Sequence, residues 1–87
     1  MKEKEVVLQN EQGLHMRPAG VLCTVAGKFP CEITLDLQDK KVNAKSIMMI
    51  MAAGIKRGTK MRVICNGEQE EEALTAVCSA IEDGLGE

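Results

Sequence analysis

The chain predicts an α+β fold in the order βαββαβα, with a mostly antiparallel sheet covered by helices on one side. Two stretches carry the sheet. Residues 32–37 alternate apolar Ile33, Leu35 and Leu37 with polar Glu32, Thr34 and Asp36, and residues 60–66 alternate Met61, Val63 and Cys65 with Lys60 and Arg62. Strict alternation marks a strand that buries one face only. Two further stretches, near residues 17–27 and 68–83, instead space their apolar residues at the helical period.

The remaining elements follow in order. Residues 4–9, centred on Val6, Val7 and Leu8, form a short β-prone run, and Asn10-Glu11-Gln12-Gly13 is turn chemistry. Ala19, Leu22, Cys23 and Ala26 line one face of the first helix, which Lys28-Phe29-Pro30 ends because a proline cannot continue it. After the strand at 32–37, Gln38-Asp39-Lys40 turns the chain and residues 41–43 return as a short strand, giving a hairpin. Ser46 is the expected N-cap of a short helix over 47–53 closed by Gly54. Gly58 turns into the strand at 60–66, and Asn66-Gly67 ends it. The last helix, 68–83, opens on carboxylates, which suit the helix dipole, and is apolar at Leu74, Val77, Cys78 and Ile81. With no internal repeat or linker, residues 1–87 read as a single domain.

Composition excludes several function classes. A net charge of −2, one Phe and no Trp or Tyr give neither a basic surface nor a base-stacking platform, so nucleic acid is not an expected partner. No apolar run approaches the ~20 residues that span a bilayer. The first ten residues lack the apolar core of a signal peptide, so membrane insertion is not expected and the expected location is the cytoplasm. The four cysteines, Cys23, Cys31, Cys65 and Cys78, form no CxxC pair, and a lone histidine cannot complete a zinc site with thiols so widely spread. They read as free, buried core residues, with no metal and no cofactor implied.

The histidine stands in GLHMRPAG, residues 13–20. Gly13 can turn the chain sharply, and Pro18 suits the first turn of a helix, where a missing N–H is harmless. His15 therefore sits at or just before a helix N-terminus. The unpaired N–H groups there and the guanidinium of Arg17 make a setting for phosphate. Both positive neighbours favour a neutral, nucleophilic imidazole. On these residues alone, a surface histidine near a cap beside an ordinary arginine remains the competing reading.

GLHMRPA resembles the active-site signature of HPr, the histidine-containing phosphocarrier family of the bacterial phosphoenolpyruvate-dependent sugar phosphotransferase system. KSIMMIMAAGIKRGT, residues 45–59, resembles that family's serine-site helix and the loop after it, and KFPCEITL and NGEQEEEAL match in type and position. The resemblance covers essentially the whole chain. It implies an open-faced β-sandwich of four antiparallel strands with three helices on one face. It also implies that His15 accepts a phosphoryl group on Nδ1 from phosphorylated enzyme I and passes it to IIA domains of sugar permeases, with Arg17 stabilising the phosphate and Pro18 starting the helix. Such a protein is a carrier rather than an enzyme with turnover of its own. Ser46 matches a serine that an ATP-dependent kinase/phosphorylase modifies in many members, the modified form then engaging a transcription regulator. Met16 and Gly20, with Ile47, Met48 and Met51, match the docking patch for enzyme I and IIA. A helix of under two turns cannot bury all of IMMIM, so some of these side chains are expected at the surface, where flexible methionine fits several partners. A monomer suits such a shuttle.

Several positions depart from the family pattern: Met16 replaces a small residue, Gln12 a common Ser or Thr, and Met49 and Ala53 are unusual in the serine-site helix. The turn at 38–40 lacks a frequent glycine. Two alternatives stay open at this point, a mainly regulatory phosphoprotein acting through Ser46 and a carrier in a nitrogen-related phosphotransfer branch.

Overall fold

A computed structural model describes all 87 residues. The strands are β1 (Lys2–Val7), β2 (Glu32–Asp36), β3 (Lys41–Asn43) and β4 (Lys60–Asn66). The helices are α1 (Met16–Ala26), α2 (Ile47–Ala53) and α3 (Glu70–Glu82). The four strands form one sheet in the order β1-β4-β2-β3, and every pairing is antiparallel. This is the open-faced βαββαβα architecture, with one face of the sheet under helices and the other facing solvent.

Register follows from the alternation. Ile33 lies opposite Cys65, and Leu35 opposite both Val63 and Val42, so the apolar parity of three strands falls on one face. Arg62 and Ile64 of β4 and Thr34 and Asp36 of β2 take the other face. Leu35, Val63 and Cys65 are fully buried, in a core that also takes Leu22 of α1, Ile50 of α2 and Val77 and Ile81 of α3. Helix α3 lies against β1 and β4, α1 contacts α2 and α3, and α2 touches β3.

Strand β1 is the exception. It spans residues 2–7 rather than 4–9, because its partner β4 begins at Lys60 opposite Val7, after which Leu8 pairs only with the turn residues Gly58 and Thr59. In that register Lys2 and Lys4 fall on the helix-covered face beside Cys65 and Val63. Their ammonium groups reach out to α3 instead, Lys2 to Glu71 at 3.3 Å and Lys4 to Glu82 at 3.7 Å.

The ends of α1 and α3 differ from the sequence reading by one or two residues. Helix α1 starts at Met16 and stops at Ala26, before Pro30 can act. The Gly27 N–H still reaches the Cys23 carbonyl, but Lys28 and Phe29 bond three residues back, to Val25 and Ala26. Helix α3 starts at Glu70, not Glu68. Gly67 and Gln69 both carry positive φ, and the Glu70 carboxylate turns back to accept the Gly67 N–H at 3.0 Å. Cys23 is half-buried, whereas Cys31, Cys65 and Cys78 are buried as expected, and all four are free. Residue 23 sits on the flank of α1, between the buried Leu22 and Ala26 stripe and solvent.

The turn of the β2–β3 hairpin places Gln38 at φ 77°, in the left-handed region that suits glycine. A side chain there costs ~1–2 kcal/mol, and the Gln38 side chain makes no hydrogen bond in return. We expect Gln38→Gly to raise the melting temperature by about 3–6 °C, the released strain being partly offset by the looser unfolded chain. Thermal denaturation followed by circular dichroism tests this, and an unchanged or lower midpoint would count against strain at this turn.

Candidate functional site

The loop before α1 is pinned from below. Gly13 has φ 73°, and a Cβ at that position would lie 2.5 Å from the carbonyl oxygen of Ile55, so only glycine fits. The next residue, Leu14, is buried and donates its N–H to the same Ile55 oxygen at 2.9 Å. His15 follows as the N-cap of α1, in extended conformation, with its carbonyl accepting the Ala19 N–H. Its side chain makes no capping bond and is therefore free for other chemistry.

One ring nitrogen is engaged. Nε2 of His15 lies 3.0 Å from Oε2 of Glu87. That carboxylate is itself held, since the Nδ2 group of Asn10 donates to Glu87 Oε1 at 2.7 Å and to the Gly84 carbonyl at 2.8 Å. Asn10 is only 5% exposed, the one polar residue in the buried set. The Asn10 amide, above all, holds the Glu87 carboxyl below the ordinary glutamate range; His15 and Arg17 add to this, against the opposing effect of burial. With Nε2 as the donor to Glu87, Nδ1 keeps its lone pair.

Glu87 reaches the histidine because α3 ends in a Schellman turn. Gly84, at φ 85°, bonds back to Ile81, and Leu85 bonds back to Ala80 and buries its side chain. The result is an open depression of about 580 Å³ beside His15, lined only by non-hydrophobic residues and acidic at Glu11, Glu82, Asp83 and Glu87. The other side of the residue is the start of α1, where the Met16 and Arg17 N–H groups have no carbonyl one turn back to bond. The site is thus electrostatically two-sided. An anion is repelled from the Glu87 side and attracted to the helix side.

The other expected site residues divide into two groups. Arg17 lies in the first turn of α1, exposed and in no ion pair, while Pro18 is buried as the third helical residue. Gly20 adjoins α2, as a Cβ there would touch Ile47 Cδ1 at 3.9 Å, so the α1 and α2 parts of the expected patch meet. The patch is open to solvent: Met48 is 80% exposed, Met16 70%, and Ile47 and Met51 40% each. Ser46 caps α2, its Oγ accepting the Met49 N–H at 3.2 Å; no hydrogen bond links it to His15. Nowhere are three or more His, Cys, Asp or Glu side chains arranged to hold a metal ion. No helix is long and apolar enough to cross a membrane.

Sequence reasoning passed over Asn10 and Glu87, and with them the carboxylate that faces His15. It had counted only the positive neighbours of the ring. The two residues are separated by most of the chain, so no local pattern joins them. A signal did exist in Gly84 followed by apolar Leu85, which is the Schellman signature that turns the chain back on itself.

The family model "PTS HPr component phosphorylation site" matches residues 2–83. The chain is 39% identical over 88 residues to a multiphosphoryl transfer protein of Haemophilus influenzae, covering 98% of this chain. It spans only about a fifth of the length of that curated relative (18%). Among solved structures it is similar to HPr-C-His from Thermoanaerobacter tengcongensis, with a TM-score of 0.94, 42% identity, and coverage of 100% of this chain and 98% of the other. It is also similar to an HPr dimer from the same organism, with a TM-score of 0.79, 42% identity and full coverage of both chains.

The Glu87 contacts set a pH dependence. A carboxyl held below its ordinary value of 4.5 contributes stability that is fully present above that pH and is lost as pH falls through the folded-state value. We expect Glu87→Gln to be less stable than the parent at pH 7, with the difference closing toward pH 3. Urea denaturation at the two pH values tests it; an equal gap at both would mean that the charge of Glu87 is not what stabilises the clasp.

Proposed function

The chain belongs to the HPr family of phosphocarriers of the phosphotransferase system, and from that premise we propose that His15 accepts a phosphoryl group from phosphorylated enzyme I and delivers it to IIA domains of sugar permeases. The observation that carries this reading is the engagement of Nε2 by Glu87 at 3.0 Å, which leaves Nδ1 as the nucleophile. In the transfer, the Nδ1 lone pair forms a P–N bond as the bond from phosphorus to its carrier atom on enzyme I breaks, that atom leaving with the electron pair. Positive charge develops on the ring, and Glu87, accepting from Nε2–H, stabilises it. The incoming phosphoryl oxygens meet the free N–H groups at the start of α1 and the guanidinium of Arg17, and Pro18 fixes that first turn.

The partners dock in succession on one surface made by Met16 and Gly20 of α1 and Ile47, Met48 and Met51 of α2. Each leaves within the transfer cycle, which suits a modest apolar contact rather than a permanent interface. Because every partner must reach the same face, we take residues 1–87 to act as a single monomeric domain in the cytoplasm. The protein is a carrier, regenerated by its partners. Ser46 is read as the regulatory site of a serine kinase/phosphorylase. A phosphate there adds about −1.5 to −2 charges at the head of α2, beside the methionines that must be covered in docking.

Intact mass after incubation with enzyme I, Mg²⁺ and phosphoenolpyruvate is the test. One acid-labile phosphate is expected, absent in His15→Ala and formed on the order of 100-fold more slowly in Arg17→Ala. Ser46→Asp should slow transfer about ten-fold without altering the site of modification. A folded protein that takes no phosphate from a competent enzyme I would sink the carrier reading.

A further inference from the structure

The chain holds six methionines and four cysteines, and the fold separates their sulfurs sharply. Cys31, Cys65 and Cys78 are buried and Cys23 is half-buried. Burial pushes up the thiols of Cys23, Cys65 and Cys78, Cys65 to about 11 with neighbouring Cys31 and Cys78 adding to the effect. Thiolate is the reactive form of cysteine, so these side chains are both shielded and un-ionised near neutral pH. Methionine shows the reverse distribution. Only Met61 is in the core, at 1% exposure, and the other five are open to solvent.

Three of those five, Met16, Met48 and Met51, stand on the α1–α2 surface, with Met16 directly after His15, while Met49 lies on the side of α2 that faces Lys41 and Val42 of β3. A thioether needs no ionisation to react; access alone decides. Apart from Met1 at the start of the chain, the most open sulfurs, Met48 and Met16, therefore lie on the face proposed for docking. Leucine would supply the same apolar area without that sensitivity.

We propose that Met16 and Met48 are peroxide-sensitive modification sites, and that their conversion to methionine sulfoxide reversibly blocks docking and so stops phosphoryl transfer while His15 stays intact. The inference rests on the docking surface proposed above. In the reaction the thioether sulfur attacks one oxygen of a hydroperoxide. An S–O bond forms, the O–O bond breaks, and water or an alcohol leaves; the methionine is oxidised by two electrons and the peroxide reduced by two. The sulfoxide replaces a soft apolar tip with a strong dipole, which a partner must desolvate without a matching donor. A thiol-dependent methionine sulfoxide reductase reverses the change.

The experiment treats the protein with limiting hydrogen peroxide, removes the excess with catalase, maps the added oxygen by peptide mass spectrometry, and then measures kcat/KM for phosphoryl acceptance from phosphorylated enzyme I. Met48 and Met16 are expected to oxidise before Met61 and before any cysteine. Transfer should fall about ten-fold or more, with an unchanged melting temperature and full recovery after sulfoxide reductase. Met16→Leu/Met48→Leu, compared with its own untreated rate, should lose nothing to peroxide. Full oxidation of both residues with unaltered transfer would overturn the proposal, as would equal peroxide sensitivity in the leucine variant. Unoxidised Met48→Asp separates the two readings: if it too transfers at the parent rate, the docking surface is misplaced. If it is impaired while the sulfoxide is not, only the oxidation proposal falls.

Discussion

The carbonyl oxygen of Ile55 is the fixed point of this molecule. It lies just past α2, accepts the N–H of Leu14, and sits where a side chain at position 13 would have to be. The loop that carries His15 is thereby fastened to the loop that follows α2, and it admits no residue larger than glycine at the crossing. That single contact sets the height of His15 above the sheet. It also ties the α1 and α2 surfaces to a common frame. A rigid pairing of this kind matters for group transfer, because reacting atoms misplaced by an ångström can slow a step a hundred-fold.

Most of the fold was legible because its strands are half-buried. Alternation in residues 32–37 and 60–66 is a direct record of which face meets the helices, and the observed register obeys it. Strand β1 was misjudged for a physical reason. Its inward positions include Lys2 and Lys4, whose long stems can lie along apolar neighbours while the charge escapes to α3, so polarity there does not mark the outward face. The end of α1 was legible to within a residue, but its agent differs: the hydrogen bonds shorten to three residues at Lys28 and Phe29, before Pro30 is reached.

The site was legible only in its local half. His15, Arg17 and Pro18 are neighbours in sequence, and a helix start explains their company. Glu87 and Asn10 come from opposite ends of the described chain and meet only in the folded state. They change the electrostatic picture from a uniformly positive setting to a polarised one, with a carboxylate on one edge of the ring and amide dipoles on the other. A histidine placed across such a field has its two nitrogens made unequal by the fold, and the protein needs no further device to choose between them.

Strand β1 contributes one buried side chain, Val6, to the core. It is otherwise held by a ladder of backbone hydrogen bonds to β4, by its contact with α3, and by exposed ion pairs of small individual worth. The opposite edge strand, β3, likewise contributes one buried side chain, Val42, so local unfolding surrenders little apolar contact at either edge of the sheet, and the amides of both strands belong at the fast end of a hydrogen-exchange profile. The main contacts of β1 are with β4 and α3, whereas α1 packs on α2 and α3, and α2 on α1 and β3. The fold thus places its softest motion at the edges of the sheet, while the loop that carries His15 is held between the buried Asn10 and Leu14.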